Sequence, residues 1–249
     1  MAAAGPEIVL LHGFTQTSAS WRPVTDRLAL GYSVAAIDLA GHGSASDLRL
    51  DLAADAARVA GSTTDDRPLL VGYSMGGRTA LRLALDHPGA VRGLVLLGAT
   101  AGIDDPDERA ARRRADEELA ARIEREGVAA FLPGWLAQPL FADLRPEPDD
   151  LAARLANSPE GLAASLRLAG TGTMDPPWWD ELGDLTVPTL VVWGERDAKF
   201  AALGERLAAA IGAGADTAVV DGAGHAAHLE KPAAFARLIA GQLDRTSQR

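Results

Sequence analysis

A glycine-framed serine is the first candidate for chemistry in this chain of 249 residues. Ser74 stands in the pentapeptide GYSMG, between the apolar run PLLVG and the helical stretch GGRTALRLAL. A strand, a sharp turn and a helix form the setting from which such a serine projects as a nucleophile. The alternative is a serine that simply caps a helix. Because the flanking segments fit the first setting, we interpret Ser74 as a chemically activated hydroxyl.

A serine hydroxyl needs a base, and the base needs an orienting carboxylate. His225 lies in VVDGAGHAAHLEKP, a glycine-rich turn before the last predicted helix, and Asp197 lies in the loop GERD after a buried strand. The order serine, aspartate, histidine matches the α/β-hydrolase arrangement. We therefore predict a triad of Ser74, Asp197 and His225, with Glu195 as the alternative acid and His228 as the alternative base.

Backbone N–H groups close to this serine predict an oxyanion hole. Met75 begins the predicted helix, where its N–H points at negative charge developing beside the serine. Phe14, in the turn of LLHGFTQT after the first predicted strand, is the expected second donor. A metal site formed by His225 and His228 is the competing interpretation, but the sequence offers no third ligand nearby and no His-Glu-x-x-His motif. We predict no metal.

A cation follows the serine by one helical turn. Side chains four residues apart share a helix face, so the guanidinium of Arg78 can approach the same pocket as Ser74. Guanidinium groups bind carboxylates through two parallel hydrogen bonds. An esterase for neutral acyl chains needs no cation there, so this spacing favours an anionic substrate. The alternative is an arginine on an exposed helix face.

Short apolar runs alternate with amphipathic stretches, which is typical of a parallel sheet covered by helices. The runs are continuous, as expected of strands buried on both faces. Strands are predicted at residues 8–11, 34–39, 69–73, 91–97, 189–193 and 218–220. Helices are predicted at residues 21–28, 52–60, 75–85, 201–211 and 232–243. The pattern predicts an α/β-hydrolase fold.

Residues 104–184 interrupt this alternation. The stretch DERAARRRADEELAARIERE is charged and helical, and the proline-spaced segment after it contains no β-like run. We predict a helical cap at 104–184, inserted into a core made of residues 1–103 and 185–249. Most arginines of the charged stretch fit a solvated helix face.

Composition limits the partners of the chain. Its formal net charge of -10 argues against nucleic acid and against anionic membrane surfaces. No apolar run approaches the roughly 18 to 20 residues of a membrane span, and residues 1–6 lack the basic region of a signal peptide. Cysteine is absent, so disulfides and thiolate metal sites are excluded and a cytoplasmic location is expected. An anionic substrate would need positive charge concentrated inside the pocket.

Several segments resemble known proteins over residues 8–243. LLHGFTQTSASW, DLAGHGSAS, WGERDAKF and AGHAAHLEKP are similar to α/β-hydrolases generally. GYSMGGRTAL and the cap segments ERAARRRADEEL, WLAQPLF and LAARLANSPEGLAASLRLAGTGTM resemble the family of 2-succinyl-6-hydroxy-2,4-cyclohexadiene-1-carboxylate synthases of menaquinone biosynthesis. The resemblance implies a cofactor-independent lyase that removes a proton next to a carbonyl and releases pyruvate from a polycarboxylate.

The resemblance also implies a set of substrate-binding residues, which are Arg78, Arg112, Arg154, Tyr73 and Trp135. Two alternatives share the same core. One is a serine hydrolase acting on esters, lactones or carbon–carbon bonds, and the other is a noncatalytic binding protein.

Overall fold

A computed structural model describes residues 7–62 and 67–247. The prediction about residues 1–6 therefore lies outside the described residues. Within them the strands form a single sheet of six, and every neighbouring pair is parallel. The strands are β1 (Glu7–Leu11), β2 (Ser33–Ile37), β3 (Leu69–Tyr73), β4 (Gly93–Leu97), β5 (Thr189–Gly194) and β6 (Ala215–Val220). Their spatial order is β2-β1-β3-β4-β5-β6. The predicted fold class is confirmed.

Burial separates the centre of the sheet from its edges. Every residue of β3, β4 and β5 is buried, as their continuous apolar runs predict. The outer strands β2 and β6 are partly exposed, so the expectation that all six strands are buried on both faces is wrong for these two. An edge strand has a neighbour on one side alone, and helices cover it incompletely.

Helices cover both faces of the sheet and form the segment between β4 and β5. In chain order they are α1 (Arg22–Leu28), α2 (Leu52–Gly61), α3 (Met75–Asp86), α4 (Pro106–Glu126), α5 (Val128–Leu136), α6 (Pro148–Leu155), α7 (Pro159–Ala169), α8 (Ala198–Ile211), α9 (Ala227–Glu230) and α10 (Pro232–Ser247). Apolar side chains of α2, α3 and α8 pack on one face of the sheet. Those of α1 and α10 pack on the other face.

Residues 104–184 contain α4 to α7 together with short 3-10 turns, and no strand. These helices bury a small apolar cluster of their own, in which Ile123, Phe131 and Leu162 meet. We call residues 104–184 the cap and propose that they are the inserted unit expected from the sequence. Among the described residues, no helix combines the length and apolar character that crossing a bilayer requires.

Candidate active site

Ser74 is the single residue that links β3 to α3. Its backbone has φ 51° and ψ -105°, a conformation that L-residues rarely adopt and that is typical of functional turns. The Ser74 N–H donates to the Leu97 carbonyl over 2.8 Å, which ties the turn to the neighbouring strand. A Cβ at Gly76 would lie 2.1 Å from the Leu11 carbonyl oxygen, so the turn needs glycine there. The sharp turn expected from GYSMG is present.

The histidine and the aspartate of the predicted triad meet beside this turn. Nδ1 of His225 lies 2.6 Å from Oδ2 of Asp197, and both side chains are buried. The other carboxylate oxygen of Asp197 accepts from the Phe200 N–H over 3.2 Å and so caps α8. The centre of the Phe200 ring lies 4.3 Å from that of the imidazole, and a Cβ at Gly98 would lie 2.7 Å from Cε1 of His225, so the imidazole also packs against glycine backbone. Because Asp197 takes Nδ1, Nε2 is the nitrogen available to Ser74.

The alternative acid and base have other contacts. Glu195 accepts the Gly222 N–H over 2.7 Å, at the surface. His228 is fully buried, and its Nε2 lies 3.1 Å from Nε2 of Gln16. Burial, with Arg154 and two histidines nearby, holds the pKa of His228 well below its usual value. Among the described residues no group of three or more histidine, aspartate or glutamate side chains is arranged to hold a metal ion.

Phe14 and Met75 both line the cavity above Ser74. The Gly76 N–H donates to the His12 carbonyl over 3.0 Å, which holds the loop after β1 against the first turn of α3. In the described part of the chain, the N–H groups of Phe14 and Met75 donate to no acceptor. They are therefore available to an oxyanion, and their role as oxyanion donors stays a prediction.

The cavity has a volume of about 320 Å³ and lies between the core and the cap. Ser74, Tyr73 and His225 contribute from the core, and Trp135 and Phe141 from the cap. The Trp135 ring contacts Phe14 edge to face at 5.2 Å. The Tyr73 ring contacts the imidazoles of His225 and His228, with ring centres 5.1 and 4.3 Å apart, and burial raises the pKa of its hydroxyl above the usual value. Tyr73 and Trp135 thus line the cavity, and the contact with substrate that the resemblance implies for them stays a prediction.

Arg78 also lines this cavity, and its side chain is 7% exposed. Its Nη1 donates to the carbonyl of Ala169 over 2.7 Å. Within the described residues it has no carboxylate at ion-pair distance. Burial, and next the positive charge of Arg112, lower the pKa of Arg78 to about 10, against the attraction of Asp116. The guanidinium is still charged at neutral pH, so the cavity holds a buried cation that an anionic ligand would stabilise.

Arg112 forms an ion pair with a carboxylate that the sequence reading did not single out. Its Nε lies 2.9 Å from Oδ1 of Asp116, one turn further along α4. This contact uses Nε and leaves the two terminal nitrogens of Arg112 for a ligand. Asp116 is 2% exposed, and burial raises its pKa against the attraction of Arg112 and Arg78. The spacing of four residues on a helix is the signal that could have identified this pair.

Lys199 is a third cation in the lining of the cavity. It lies two residues after Asp197 and is one of two lysines in the sequence. No role is predicted for it from the sequence. Its position two residues after the predicted acid could have suggested one, because the segment that follows Asp197 borders the triad.

Arg154 occupies a different place from the one the resemblance implies. It is 2% exposed and does not belong to the residues that line the cavity. Its Nε pairs with Asp150 over 2.8 Å, and its Nη1 donates to the Thr15 hydroxyl over 2.9 Å. The guanidinium thus lies behind the loop that carries Phe14. A direct contact between Arg154 and a substrate is not what this geometry favours.

Comparison with known proteins agrees with this architecture. The model of a family described as the alpha/beta hydrolase family matches residues 8–238. The 2-succinyl-6-hydroxy-2,4-cyclohexadiene-1-carboxylate synthase of Salmonella typhimurium is 36% identical over 92% of this chain and 90% of its own length. The solved structure of MenH from S. aureus superimposes with a TM-score of 0.90 at 30% identity, covering 99% of this chain and 96% of that one. A malate-bound thermophilic esterase from Thermogutta terrifontis gives a TM-score of 0.82 at 26% identity, over 98% of this chain and 91% of its own.

Proposed function

Since this chain belongs to the alpha/beta hydrolase family, we propose that it is a lyase of this fold. The reaction would eliminate pyruvate from 2-succinyl-5-enolpyruvyl-6-hydroxy-3-cyclohexene-1-carboxylate and give 2-succinyl-6-hydroxy-2,4-cyclohexadiene-1-carboxylate, a step of menaquinone biosynthesis. The observation that carries the proposal is the cationic wall of the cavity beside Ser74, formed by buried Arg78, half-buried Arg112 and exposed Lys199, in a chain 36% identical to a synthase of that name. The partner is a small polycarboxylate, and we place the reaction in the cytoplasm.

Proton removal falls to Ser74 and His225. In the proposed step His225 takes the hydroxyl proton of Ser74 through Nε2, while Asp197 holds Nδ1 and stabilises the imidazolium. The serine oxygen then removes the proton next to the substrate carbonyl. The electron pair of that C–H bond forms the enolate and then a new ring double bond, the existing ring double bond shifts by one position toward the carbon that bears the enolpyruvyl group, and the C–O bond at that carbon breaks. The proton on His225 passes to the departing enolpyruvate, which is released as pyruvate.

Charge in the cavity supports the same step. The N–H groups of Phe14 and Met75 would bind the oxygen on which the enolate charge develops. Arg78, Arg112 and Lys199 would hold the substrate carboxylates. Fixing the carboxylates determines which atom lies against the serine oxygen, and positioning of this kind contributes a large part of catalysis. A C–H bond placed there favours elimination, whereas an ester carbonyl placed there would favour hydrolysis.

The test is pyruvate formation from the enolpyruvyl substrate, which a coupled lactate dehydrogenase assay measures. Arg78→Ala is expected to lower kcat/KM by about 10- to 100-fold, the loss typical of one hydrogen bond to a charged group. The matched control is Arg82→Ala on the same helix, because Arg82 pairs with Asp86 and Glu181 outside this cavity. Normal turnover by Arg78→Ala would remove the argument from the cationic wall.

The second candidate is a serine hydrolase, which the likeness to the Thermogutta terrifontis esterase favours. It predicts an acyl-enzyme at Ser74, burst kinetics with activated esters and labelling by phosphonates. Ester turnover with a burst, in the absence of any pyruvate formation, would replace the lyase proposal. A noncatalytic binding protein would show neither activity, and the buried hydrogen bond between Asp197 and His225 argues against it.

A further inference from the structure

Thr15, the residue after Phe14, has an unusual backbone. Its φ is 66°, in the left-handed region that β-branched residues avoid, and the residue is fully buried. A strained residue persists where its surroundings hold it, and such residues cluster at functional sites. Thr15 adjoins one of the two proposed oxyanion donors. The contacts that hold it are therefore of functional interest.

Those contacts come from the cap. The side-chain amide of Asn157, just beyond α6, donates to the Thr15 carbonyl over 2.9 Å. Its amide oxygen accepts the Gly43 N–H over 2.9 Å, so both ends of the buried amide are used. Arg154, on α6, donates to the Thr15 hydroxyl over 2.9 Å and is itself fixed by Asp150. Two buried cap side chains thus grip one residue of the core.

We infer that Asn157 and Arg154 are positioning residues that hold the Phe14 N–H in the oxyanion hole from the cap. The inference rests on the proposed function, because it gives Phe14 the role of donor to the enolate. It also assigns Arg154 to the loop behind the cavity, whereas the resemblance implies a contact with substrate. Through these two residues the cap would complete the oxyanion hole as well as close the cavity.

The expected kinetic signature follows from the geometry of oxyanion binding. A donor must lie about 2.7 to 3.1 Å from the oxyanion, so a small displacement removes its effect. Without the Asn157 hydrogen bond, Thr15 can relax to a negative φ, which redirects the adjacent chain and shifts Phe14. The interaction is made in the transition state, so kcat should fall while KM changes little.

The first test is the kinetics of pyruvate release by Asn157→Ala and Asn157→Asp. The aspartate keeps the size and the acceptor for Gly43 but cannot donate to Thr15. We expect kcat to fall by about 10- to 100-fold, less than the roughly 10²- to 10³-fold typical of removing an oxyanion donor entirely, with KM within about twofold. The control is Asp149→Ala, which removes an exposed ion pair between α6 and Arg22 and should leave both constants unchanged. A rise in KM at constant kcat would overturn the inference.

The second test is rescue. Glycine adopts positive φ without strain, so Thr15→Gly should restore part of the lost kcat when it is combined with Asn157→Ala, although it also removes the hydroxyl that accepts from Arg154. A general loss of cap stability would not be corrected in this way. Absence of any recovery would show that Asn157 acts by another route.

A crystal structure of the Asn157→Ala variant, or of Asn157→Asp if the first does not fold, gives a readout independent of activity. We expect Thr15 to leave the left-handed region and the Phe14 nitrogen to move. Unchanged positions of both residues would overturn the inference even if the proposed function holds. A wild-type chain that forms no pyruvate would overturn the proposed function, and the crystal structure would then decide whether the cap holds this loop.

Discussion

Arg78 is a buried cation whose removal should stabilise the ligand-free protein while weakening its hold on anions. The proposed substitution is Arg78→Met, which keeps an unbranched side chain of similar length and removes the charge. Burial lowers the pKa of Arg78 from its usual value to about 10. For a base, a folded-state pKa below the unfolded value means that the charged form is less favourable in the folded chain. At neutral pH this cation therefore destabilises the fold.

The magnitude follows from that shift. Since each tenfold change in protonation is equivalent to about 1.4 kcal/mol, a pKa of about 10 for an arginine means a penalty of about 3 kcal/mol. Removing Arg78 also removes its hydrogen bond to the Ala169 carbonyl, which typically contributes about 1 kcal/mol. We expect Arg78→Met to raise the free energy of unfolding by about 2 kcal/mol. Replacing buried charged residues by apolar side chains of similar volume often increases protein stability by an amount of this order.

Urea unfolding at pH 7, followed by circular dichroism, measures this difference. The control is Arg82→Met, one turn further along α3, where the guanidinium pairs with Asp86 and Glu181 and stacks over Trp178. That variant should lose up to about 1 kcal/mol, as expected for partly exposed ion pairs. A decrease of more than about 1 kcal/mol in the free energy of unfolding of Arg78→Met would refute the reasoning. The folded protein itself would then stabilise the cation.

A polycarboxylate such as citrate should stabilise the wild-type protein more than Arg78→Met, although the variant is the more stable of the two without ligand. A ligand at 100 times its Kd adds about 2.7 kcal/mol to the stability of the protein that binds it. Wild type should gain stability on titration, and Arg78→Met should gain much less. Equal gains in both would show that Arg78 does not contact the anion.

Two further predictions concern the carboxylate and the histidines near the cavity. Asp116→Ala should lower kcat/KM by about tenfold in the wild-type background. It should have almost no effect in an Arg112→Ala background, because the effects of residues that act as one unit are not additive. Additive losses in this double-mutant cycle would show that Asp116 does not act through Arg112. Burial holds the pKa of His12 at about 4 and that of His42 at about 3, so both imidazoles are neutral in the folded protein at pH 5 to 7. In the unfolded chain both have their usual pKa of 6.5, so below pH 6.5 unfolding is accompanied by proton uptake. The free energy of unfolding should thus fall as the pH decreases below 6.5, by about 2 kcal/mol for each histidine at pH 5. Urea unfolding at pH 7 and pH 5 measures this loss, and His42→Leu should remove about half of it. An unchanged pH dependence in that variant would contradict this account.

The central fold could be predicted because its signals are local. Apolar runs at residues 69–73 and 189–193 match the buried strands β3 and β5 closely. The outer strands are less regular in burial, and their bounds differ more from prediction: β6 begins at Ala215, three residues before the expected start. Its exposed polar residues lack the apolar signal, since an edge strand is specified by pairing with its neighbour as much as by burial.

The residues of the candidate site also differ in how well the sequence predicts their positions. Ser74, Asp197 and His225 each follow a strand, and parallel strands bring their carboxyl ends to one edge of the sheet, so their proximity could be predicted from order alone. The contacts of Arg154 and Asn157 with Thr15 join residues 139 and 142 positions apart. No local pattern specifies such a pairing, because it depends on how the cap docks on the core. The resemblance implies a substrate contact for Arg154 without information on this docking, and that contact stays a prediction.

The charge of the chain and the charge of its cavity have opposite signs, and this contrast bears on the choice of reaction. A net charge of -10 repels an anionic substrate at long range, although salt screens exposed charges beyond about 8 Å at physiological ionic strength. Inside the cavity Arg78 is buried, and screening there is weaker. The triad alone serves esterases as well as lyases, so it does not select between them. A cation held in a ligand-free cavity at a cost in stability is understandable where an anion occupies that cavity during the reaction, and this favours a polycarboxylate lyase over an esterase for neutral acyl groups.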